Sequence, residues 1–485
     1  MTVEQIIAYL VPVIMWALIV SITIRQFLKK QSSSTMLSWL MVIYLVPVVG
    51  ILAYLIFGEI NLGKRRANAF KALTAEYMQW FDKISQCREI ISRHPSPLSE
   101  PLFDLTQKRL GIPCVEGNEL HILDNPQTIM QSIIADIDAA KHSVNMIFYI
   151  WFDGGMVEDV MKALIRAVRR GVKVRLLLDS VGSRAFFKGK NYPYMQQQGI
   201  DIAEALHVNL FRVFLRRIDL RQHRKIIVID NRIAYTGSMN MVDPKFFKQD
   251  RHVGEWIDIM VRINGPVSAV LNGLQALDWE METGQKSTLE LPRRPILEIE
   301  NHNAHAVQIL ATGPGFPDDL MEQSLATAIF SARKSISITS PYFVPSHNIA
   351  EALRIAALRG VEVSLIVPAK NDSLMVHWAS RTFFEDLLAA GVKIYHFEQG
   401  LLHTKSILID NRLVLVGTVN MDMRSFLLNF EVTMLVEDIS FASEISLLHE
   451  NYMNSSSRLT YGSWSTRPLY YRIIEKLFFL FSPLL

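Results

Sequence analysis

The chain has 485 residues, half of them hydrophobic and 20% charged, with 50 Lys+Arg against 47 Asp+Glu for a net charge of +3. At roughly 150 residues per domain this is two or three domains, each able to bury a full core, which excludes a disordered or disulfide-stapled chain. The near-balance of charge excludes nucleic-acid binding driven by bulk charge, and two cysteines, Cys87 and Cys114, can build neither a disulfide framework nor a zinc cluster, so a reduced compartment is the simplest expectation.

Two apolar runs come first. Ile6–Ile24 and Met36–Phe57 hold 19 and 22 residues without a charge, each long enough for a hydrocarbon core of about 30 Å. Only Glu4 precedes the first run, where a signal peptide would carry basic residues. The pattern predicts a multi-pass membrane hairpin within residues 1–61. Arg25, Lys29 and Lys30 fall between the runs, and Lys64, Arg65, Arg66 and Lys71 follow the second. Four against three is a weak bias toward a cytoplasmic location for everything after Phe57.

Residues 62–117 read as a charged, mostly helical connector. From about Asn118, short apolar runs alternate with amphipathic stretches, the pattern of α/β units. Met146–Trp151 reads as a buried strand, Val157–Gly171 as an amphipathic helix, and Val172–Asp179 as the next strand. The same blocks then recur in the same order. SVNMIFYIW is echoed by SISITSPYF (Ser335–Phe343), KALIRAVRRGVKVRLLLD by EALRIAALRGVEVSLIVP (Glu351–Pro368), and HRKIIVIDNRIAYTGSMNM by HTKSILIDNRLVLVGTVNM (His403–Met421). The chain therefore carries two copies of one α/β domain, residues 118–290 and 291–460. Gly284 to Asn303 reads as the linker, and His302 and His305 are expected to be solvent-exposed in it.

The third block carries the chemistry. His223 and Lys225 are two residues apart, hence on one face of a strand, and Asp230 closes that strand; Ser238 and Asn240 follow. The second copy repeats the spacing with His403, Lys405, Asp410, Thr418 and Asn420. HxKxxxxD should arise by chance about 0.03 times in a sequence of this length, so two matched occurrences are not coincidence. An imidazole can be a nucleophile or a proton donor near neutral pH. The neighbouring lysine, hydroxyl and amide can hold anionic oxygens, which suits the charge-dispersed transition state of phosphoryl transfer. Asp230 and Asp410 point the other way on a regular strand and read as fixing the turn. Lysine beside histidine disfavours a cation, so no metal site is expected.

The repeated HxKxxxxDxxxxxxG(S/T)xN resembles the HKD motif of the phospholipase D superfamily. Together with the apolar runs, FGEINLGKRR (Phe57–Arg66), RVFLRRIDLRQHRK (Arg212–Lys225) and FFLFSPLL (Phe478–Leu485), it is similar to the membrane-anchored, two-motif branch, the bacterial cardiolipin synthases. That resemblance implies an α/β fold of two tandem phospholipase D-like domains, a mixed sheet flanked by helices, sharing one active site behind a transmembrane helix hairpin. It implies a bacterial inner-membrane enzyme that turns two phosphatidylglycerol molecules into cardiolipin and glycerol, with no cofactor, metal or nucleic acid. It makes His223, Lys225, Asp230, His403, Lys405 and Asp410 the catalytic set, one histidine forming a phosphohistidine and the other moving the proton, with His223 the first choice of nucleophile. It gives Ser238, Asn240, Thr418 and Asn420 the substrate phosphate. Another phospholipid enzyme of the superfamily, such as a phospholipase D or a phosphatidylserine synthase, is the alternative, followed by a non-catalytic membrane scaffold.

Each histidine also needs a carboxylate to fix its tautomer. Glu431 on the strand Asn429–Val436 reads as the partner of His403, and Asp258 on Trp256–Val261 as its counterpart in the first copy, with Glu255 an alternative. The intervals from histidine to acid are 28 and 35 residues. The first copy also carries an additional segment, His207–Arg221, whose interleaved basic and apolar residues fit either an anionic membrane surface or packing between domains. The terminal stretch 461–485 is apolar and too short for a confident span, and either bilayer contact or docking on the core would explain it.

Overall fold

A computed structural model of the chain describes residues 3–29, 33–59, 64–87, 90–91, 96–207, 217, 219–291 and 305–482. The chain divides into two units, residues 1–67 with 208–220, and residues 68–207 with 221–485.

In the first unit, α1 (Val3–Leu28) is the one helix among the described residues that is long and apolar enough to cross a membrane. The second apolar run is not a continuous span. It forms α2 (Ser33–Leu45) and α3 (Pro47–Phe57), divided at Val46, whose φ of −133° and ψ of 73° leave the helix. Proline disfavours helical geometry at the residue before it and is at home in the first turn of a new helix. The reversal is sharp: a Cβ on Gly50 would lie 2.6 Å from the Cα of Ile43, so only glycine lets α3 fold back along α2. A straight helix of 22 residues would carry the chain about 33 Å onward. Instead α3 ends beside the end of α1, where Glu59 accepts hydrogen bonds from Arg25 Nε and Nη2 at 2.6 Å each, from Lys29 at 2.8 Å and from Tyr54. The predicted second span is thereby corrected: the run returns to the end of α1 from which it started.

The strands of the second unit fall into two matched sets. The first is β1 (Val115–Leu123), β2 (Ser143–Phe148), β3 (Lys173–Asp179), β4 (Asp201–Ala205), β5 (Arg221–Gln222), β6 (Ile226–Ile229), β7 (Ile233–Gly237), β8 (Trp256–Ile257) and β9 (Met260–Asn264). The second is β10 (His305–Thr312), β11 (Ser335–Thr339), β12 (Phe343–Val344), β13 (Glu362–Pro368), β14 (Lys393–Phe397), β15 (Leu401–Leu402), β16 (Ser406–Ile409), β17 (Leu413–Gly417), β18 (Met421–Asp422), β19 (Asn429–Glu437) and β20 (Ser456–Arg458). One mixed sheet runs through both copies in the order β20-β14-β13-β11-β16-β17-β19-β10-β1-β9-β7-β6-β2-β3-β4. The seam is the antiparallel pair β1 and β10, with Val115 opposite Val307. Strands such as β6 and β16 are buried along their whole length. Helices cover the sheet by their apolar faces, as Met156–Arg169 does with Val157, Val160, Ala163, Leu164 and Ala167.

Of the expected linker, residues 284–291 are irregular and 292–304, including His302, lie outside the described residues. His305 opens β10 and is buried, its Nδ1 3.4 Å from an Asp438 carboxylate oxygen, which corrects the expectation of exposure. Most of the basic segment at 207–221 likewise lies outside the described residues. Within it Arg217 is paired with Asp219, at 2.6 and 3.0 Å.

Candidate active site

The two-residue strands β5 and β8 look minor and decide the geometry. β5 pairs in parallel with β19, Arg221 opposite Asn429 and Gln222 opposite Phe430. β15 pairs in parallel with β8, Leu401 opposite Trp256 and Leu402 opposite Ile257. Each pairing joins one copy to the other. Advancing both registers by one residue sets His223 against Glu431 and His403 against Asp258, and the backbone agrees: His223 N donates to the Phe430 carbonyl at 3.0 Å and His403 N to the Ile257 carbonyl at 2.8 Å.

The side chains follow. His223 Nδ1 donates to Glu431, 2.9 Å from both Oε atoms, and His403 Nδ1 donates to Asp258 Oδ1 at 2.6 Å. The expected pairing of Glu431 with His403, and of Asp258 with the histidine of its own copy, is therefore corrected: the acids are exchanged between copies. The predicted strand Trp256–Val261 is also broken, and Asp258 sits in the gap between β8 and β9. A carboxylate accepts only, so each Nδ1 carries the proton and Nε2 is left for substrate.

Ser238 and Thr418, expected on substrate phosphate, support these acids instead. Ser238 Oγ donates to Asp258 Oδ1 at 2.6 Å and Thr418 Oγ1 donates to Glu431 Oε2. Asn429 Nδ2 adds a donor to Glu431 at 3.1 Å. The motif glycines make this closeness possible: a Cβ on Gly237 would meet the Ile259 carbonyl at 2.4 Å, and one on Gly417 the Val432 carbonyl at 2.2 Å.

Lys225 and Lys405 are buried and donate to the carbonyls of His223 and His403 at 3.0 and 2.6 Å, which leaves two N–H groups on each ammonium. The Asn240 Oδ1 accepts from Ile150 N at 3.2 Å, while the buried Asn420 Oδ1 has no partner among the described residues. Asp230 and Asp410 sit away from this chemistry. Each has a left-handed backbone, φ 51° and 52°, followed by an equally left-handed asparagine, the geometry of a tight hairpin turn. The Asp230 carboxylate takes the amides of Lys141, His142 and Ser143 at 2.7–2.8 Å, and Asp410 takes those of Arg333, Lys334 and Ser335 at 2.7–2.9 Å. They lock the hairpin to the start of the neighbouring strand, the turn-fixing part that the strand geometry implies, and the structure does not bring them to the two histidines.

Both histidines line one cleft of about 550 Å³, with Asn240, Asn420, Arg221 and Arg424. Rings that the motif spacing gives no hint of flank them, Tyr149 at 5.0 Å from His223 and Trp256 at 4.3 Å from His403, centroid to centroid. Arg224, between the motif histidine and lysine, is fully buried and tied to the Glu431 carbonyl at 3.1 Å and to Asp278 at 2.6 Å, so it positions the strand that carries the acid. Burial lowers His223 and His403 to about 4, against the opposing pull of the facing carboxylates. Glu431 and Asp258 stay below the usual carboxylate range through their histidines, despite burial. Burial brings Lys225 down to about 8 and Lys405 to about 7. With these partners alone the site holds neutral imidazoles on ionised acids. Among the described residues no group of three or more His, Cys, Asp or Glu is placed to hold a metal ion.

Residues 133–258 and 325–452 match the family described as cardiolipin synthase, PLD-like domain, and residues 13–59 match the phospholipase D-nuclease N-terminal family. Over 470 residues, 97% of either chain, the sequence is 50% identical to cardiolipin synthase A of Proteus mirabilis (strain HI4320) and 51% identical to that of Edwardsiella ictaluri (strain 93-146). Among solved structures, phosphatidylserine synthase of Haemophilus influenzae Rd KW20 superposes with a TM-score of 0.54 at 14% identity, covering 76% of this chain and 95% of that one, a likeness of fold. Two copies of one domain, two intact motifs and this span of identity leave a single assignment: the chain belongs to the phospholipase D superfamily, in its cardiolipin synthase family.

Proposed function

We propose that this chain is a phosphatidyltransferase that joins two phosphatidylglycerol molecules into cardiolipin and releases glycerol; its relatives are named cardiolipin synthases. The observation that carries the reading is the pair of Nδ1-anchored histidines in one cleft, each backed by the other copy's acid. His223 Nε2 attacks the phosphorus of one phosphatidylglycerol. The bond to the headgroup glycerol oxygen breaks, and that oxygen takes a proton from the His403 imidazolium. The incoming phosphate anion and Asp258 together favour that imidazolium, which burial alone disfavours. His403, now neutral, removes the proton from a headgroup hydroxyl of a second phosphatidylglycerol. That oxygen attacks phosphorus and the bond to His223 breaks. Lys225, Lys405, Asn240 and Asn420 hold the nonbridging oxygens, while Ser238 and Thr418 keep the acids in place.

The substrates are membrane lipids, and the reading places the chain in a bacterial inner membrane with α1 as the span. The return of α3 to the end of α1 changes the charge argument. Arg25 and Lys29 then share a side with the end of α3, from which the chain goes on to Lys64, Arg65 and Arg66, and the opposite end of α1 has Glu4. Basic residues gathered at that one end support a cytoplasmic active site better than a count of four against three does. Purified chain given phosphatidylglycerol in detergent with EDTA should release glycerol and form cardiolipin in equal amounts. Phosphatidic acid as the main product would overturn the reading, and an absolute need for a divalent ion would overturn the mechanism.

A further inference from the structure

The C-terminal helix Leu469–Phe479 is packed inside out. Its inner side carries Glu475, 2% exposed, which accepts from Arg381 Nε and Arg467 Nη2 at 3.0 Å each. Beside it Tyr471 and Phe478 stack on Trp378 of the helix Leu374–Ala389, at 5.7 and 6.5 Å. The outer side holds Leu469, Tyr470, Ile473 and Leu477, continued by Leu480 and Phe481 in the closing turn, all between 49 and 73% exposed. At about 100° per residue these six fall within about 60° of the line opposite Glu475, and no charged residue interrupts them. A helix docked on a soluble domain turns its apolar stripe inward and its charges outward. Here the Glu475 ion pairs and the Tyr471 and Phe478 rings do the docking, and a second apolar stripe is left outside.

We infer that this stripe is a membrane-contact surface that lies in the interface of an anionic phospholipid leaflet and holds the catalytic cleft at headgroup level. Eleven residues make about 16 Å of helix, too short to cross a bilayer, so the helix lies along the surface. Arg472, bonded to Glu385 at 3.3 Å, and Lys476 lie along one edge of the stripe, where a basic group meets anionic headgroups, and Tyr470 has the amphipathic ring that favours this depth. The helix is also continuous with the cleft. Phe478 packs into the apolar cluster of Val344, Val376, Tyr342 and Phe383, and Tyr342 and Val376 line the cleft that holds both histidines. Leu374, two-thirds exposed, opens the helix that carries Val376. The purpose assigned to the surface rests on the cardiolipin reading; its depth in the membrane does not.

The test uses full-length chain, with Cys87→Ser and Cys114→Ala, in vesicles of phosphatidylethanolamine and phosphatidylglycerol. A fluorophore is attached at Leu477→Cys or, as a control, at Lys162→Cys, an exposed position on Met156–Arg169. Lipids with a nitroxide high on the acyl chain should quench the label at 477 severalfold more than the label at 162, and aqueous iodide should show the reverse order. Equal quenching of the two labels by iodide overturns the inference. So does protection of 477 from both quenchers with cross-linking between copies, which would make a second copy the occupant. In a second arm, Ile473→Asp with Leu477→Asp should slow turnover of vesicle-borne phosphatidylglycerol at least tenfold and leave dihexanoyl phosphatidylglycerol, dissolved as monomers, unaffected. Equal loss on both substrates, or no loss on either, overturns the role in lipid access. Failure of the unsubstituted chain on both substrates would instead sink the cardiolipin reading, with the quenching result still readable.

Discussion

Glu431→Gln tests the exchange of acids between copies most directly. The substitution keeps shape and leaves an oxygen to accept from the His223 Nδ1–H, but it removes the charge that faces an imidazolium or a phosphohistidine. His223 Nδ1 is 2.9 Å from the carboxylate oxygens, so the two charge centres are about 4 Å apart. At the effective dielectric constant of about 20 that suits protein sites, the lost interaction is about 4 kcal/mol, or close to a thousandfold in rate. Asp258→Asn removes the matching charge from His403, bonded at 2.6 Å, and should cost a similar factor. The assay is cardiolipin formation from phosphatidylglycerol in mixed micelles, together with histidine ring ¹⁵N shifts. Glu431→Gln should move the His223 resonances and leave those of His403 nearly in place, and Asp258→Asn should do the opposite. If Glu431→Gln moved His403, or reduced the rate less than tenfold, the exchanged pairing would be wrong.

Further outcomes follow from the same geometry. His223→Ala and His403→Ala should each abolish turnover, because neither copy holds both roles; near-normal activity in either single variant in the micelle assay would refute a shared site. Asp230→Ala should leave kcat within about threefold while lowering Tm, since it removes the acceptor of three backbone amides at the hairpin lock, two exposed and one part-buried, each bond contributing about 0.5–1.5 kcal/mol. Acid should destabilise the catalytic unit steeply. His223, His403 and His396 are lowered by burial to about 4 and His449 to about 3, below their unfolded value near 6.5. Their stabilising effect is complete above pH 6.5 and is lost as pH falls toward 4, by up to about 1.4 kcal/mol per pH unit for each histidine, which denaturant titrations between pH 7 and 5 would measure. On the alkaline side, Lys225 and Lys405 lose their charge through about 8 and about 7, so KM for phosphatidylglycerol should rise between pH 7 and 9.

The duplication, the paired motifs and the amphipathic helices are all local or periodic features, and the sequence displays them directly. The partner of each histidine is not local. It depends on β5 and β8, two residues each, which nothing in propensity marks as strands, and on pairing across 208 residues of chain for His223 and 145 for His403. The unequal intervals of 35 and 28 residues were the available hint, since an acid held by its own motif would keep a fixed spacing. The break in the second apolar run also had a signal. Proline alone does not suffice, because Pro12 lies inside the unbroken α1. Pro47 followed by Gly50 supplies both a helix stop and room for the chain to return. The chemistry of the Ser238 and Thr418 hydroxyls suits phosphate, whereas their position beside a buried carboxylate decides what they bond.

The seam between the copies makes the molecule a two-fold dimer written into one polypeptide. β1 against β10, β5 against β19 and β8 against β15 are what join the halves. Because each motif borrows its acid across that seam, the halves cannot diverge freely. A change at Glu431 is felt at His223, so selection acts on the two repeats as one object. The resulting near-symmetry gives donor and acceptor lipids almost interchangeable surroundings. What distinguishes them must come from the small departures between copies: Tyr149 against Trp256 beside the histidines, Arg224 against Thr404 behind them, and a glutamate where the other half has an aspartate.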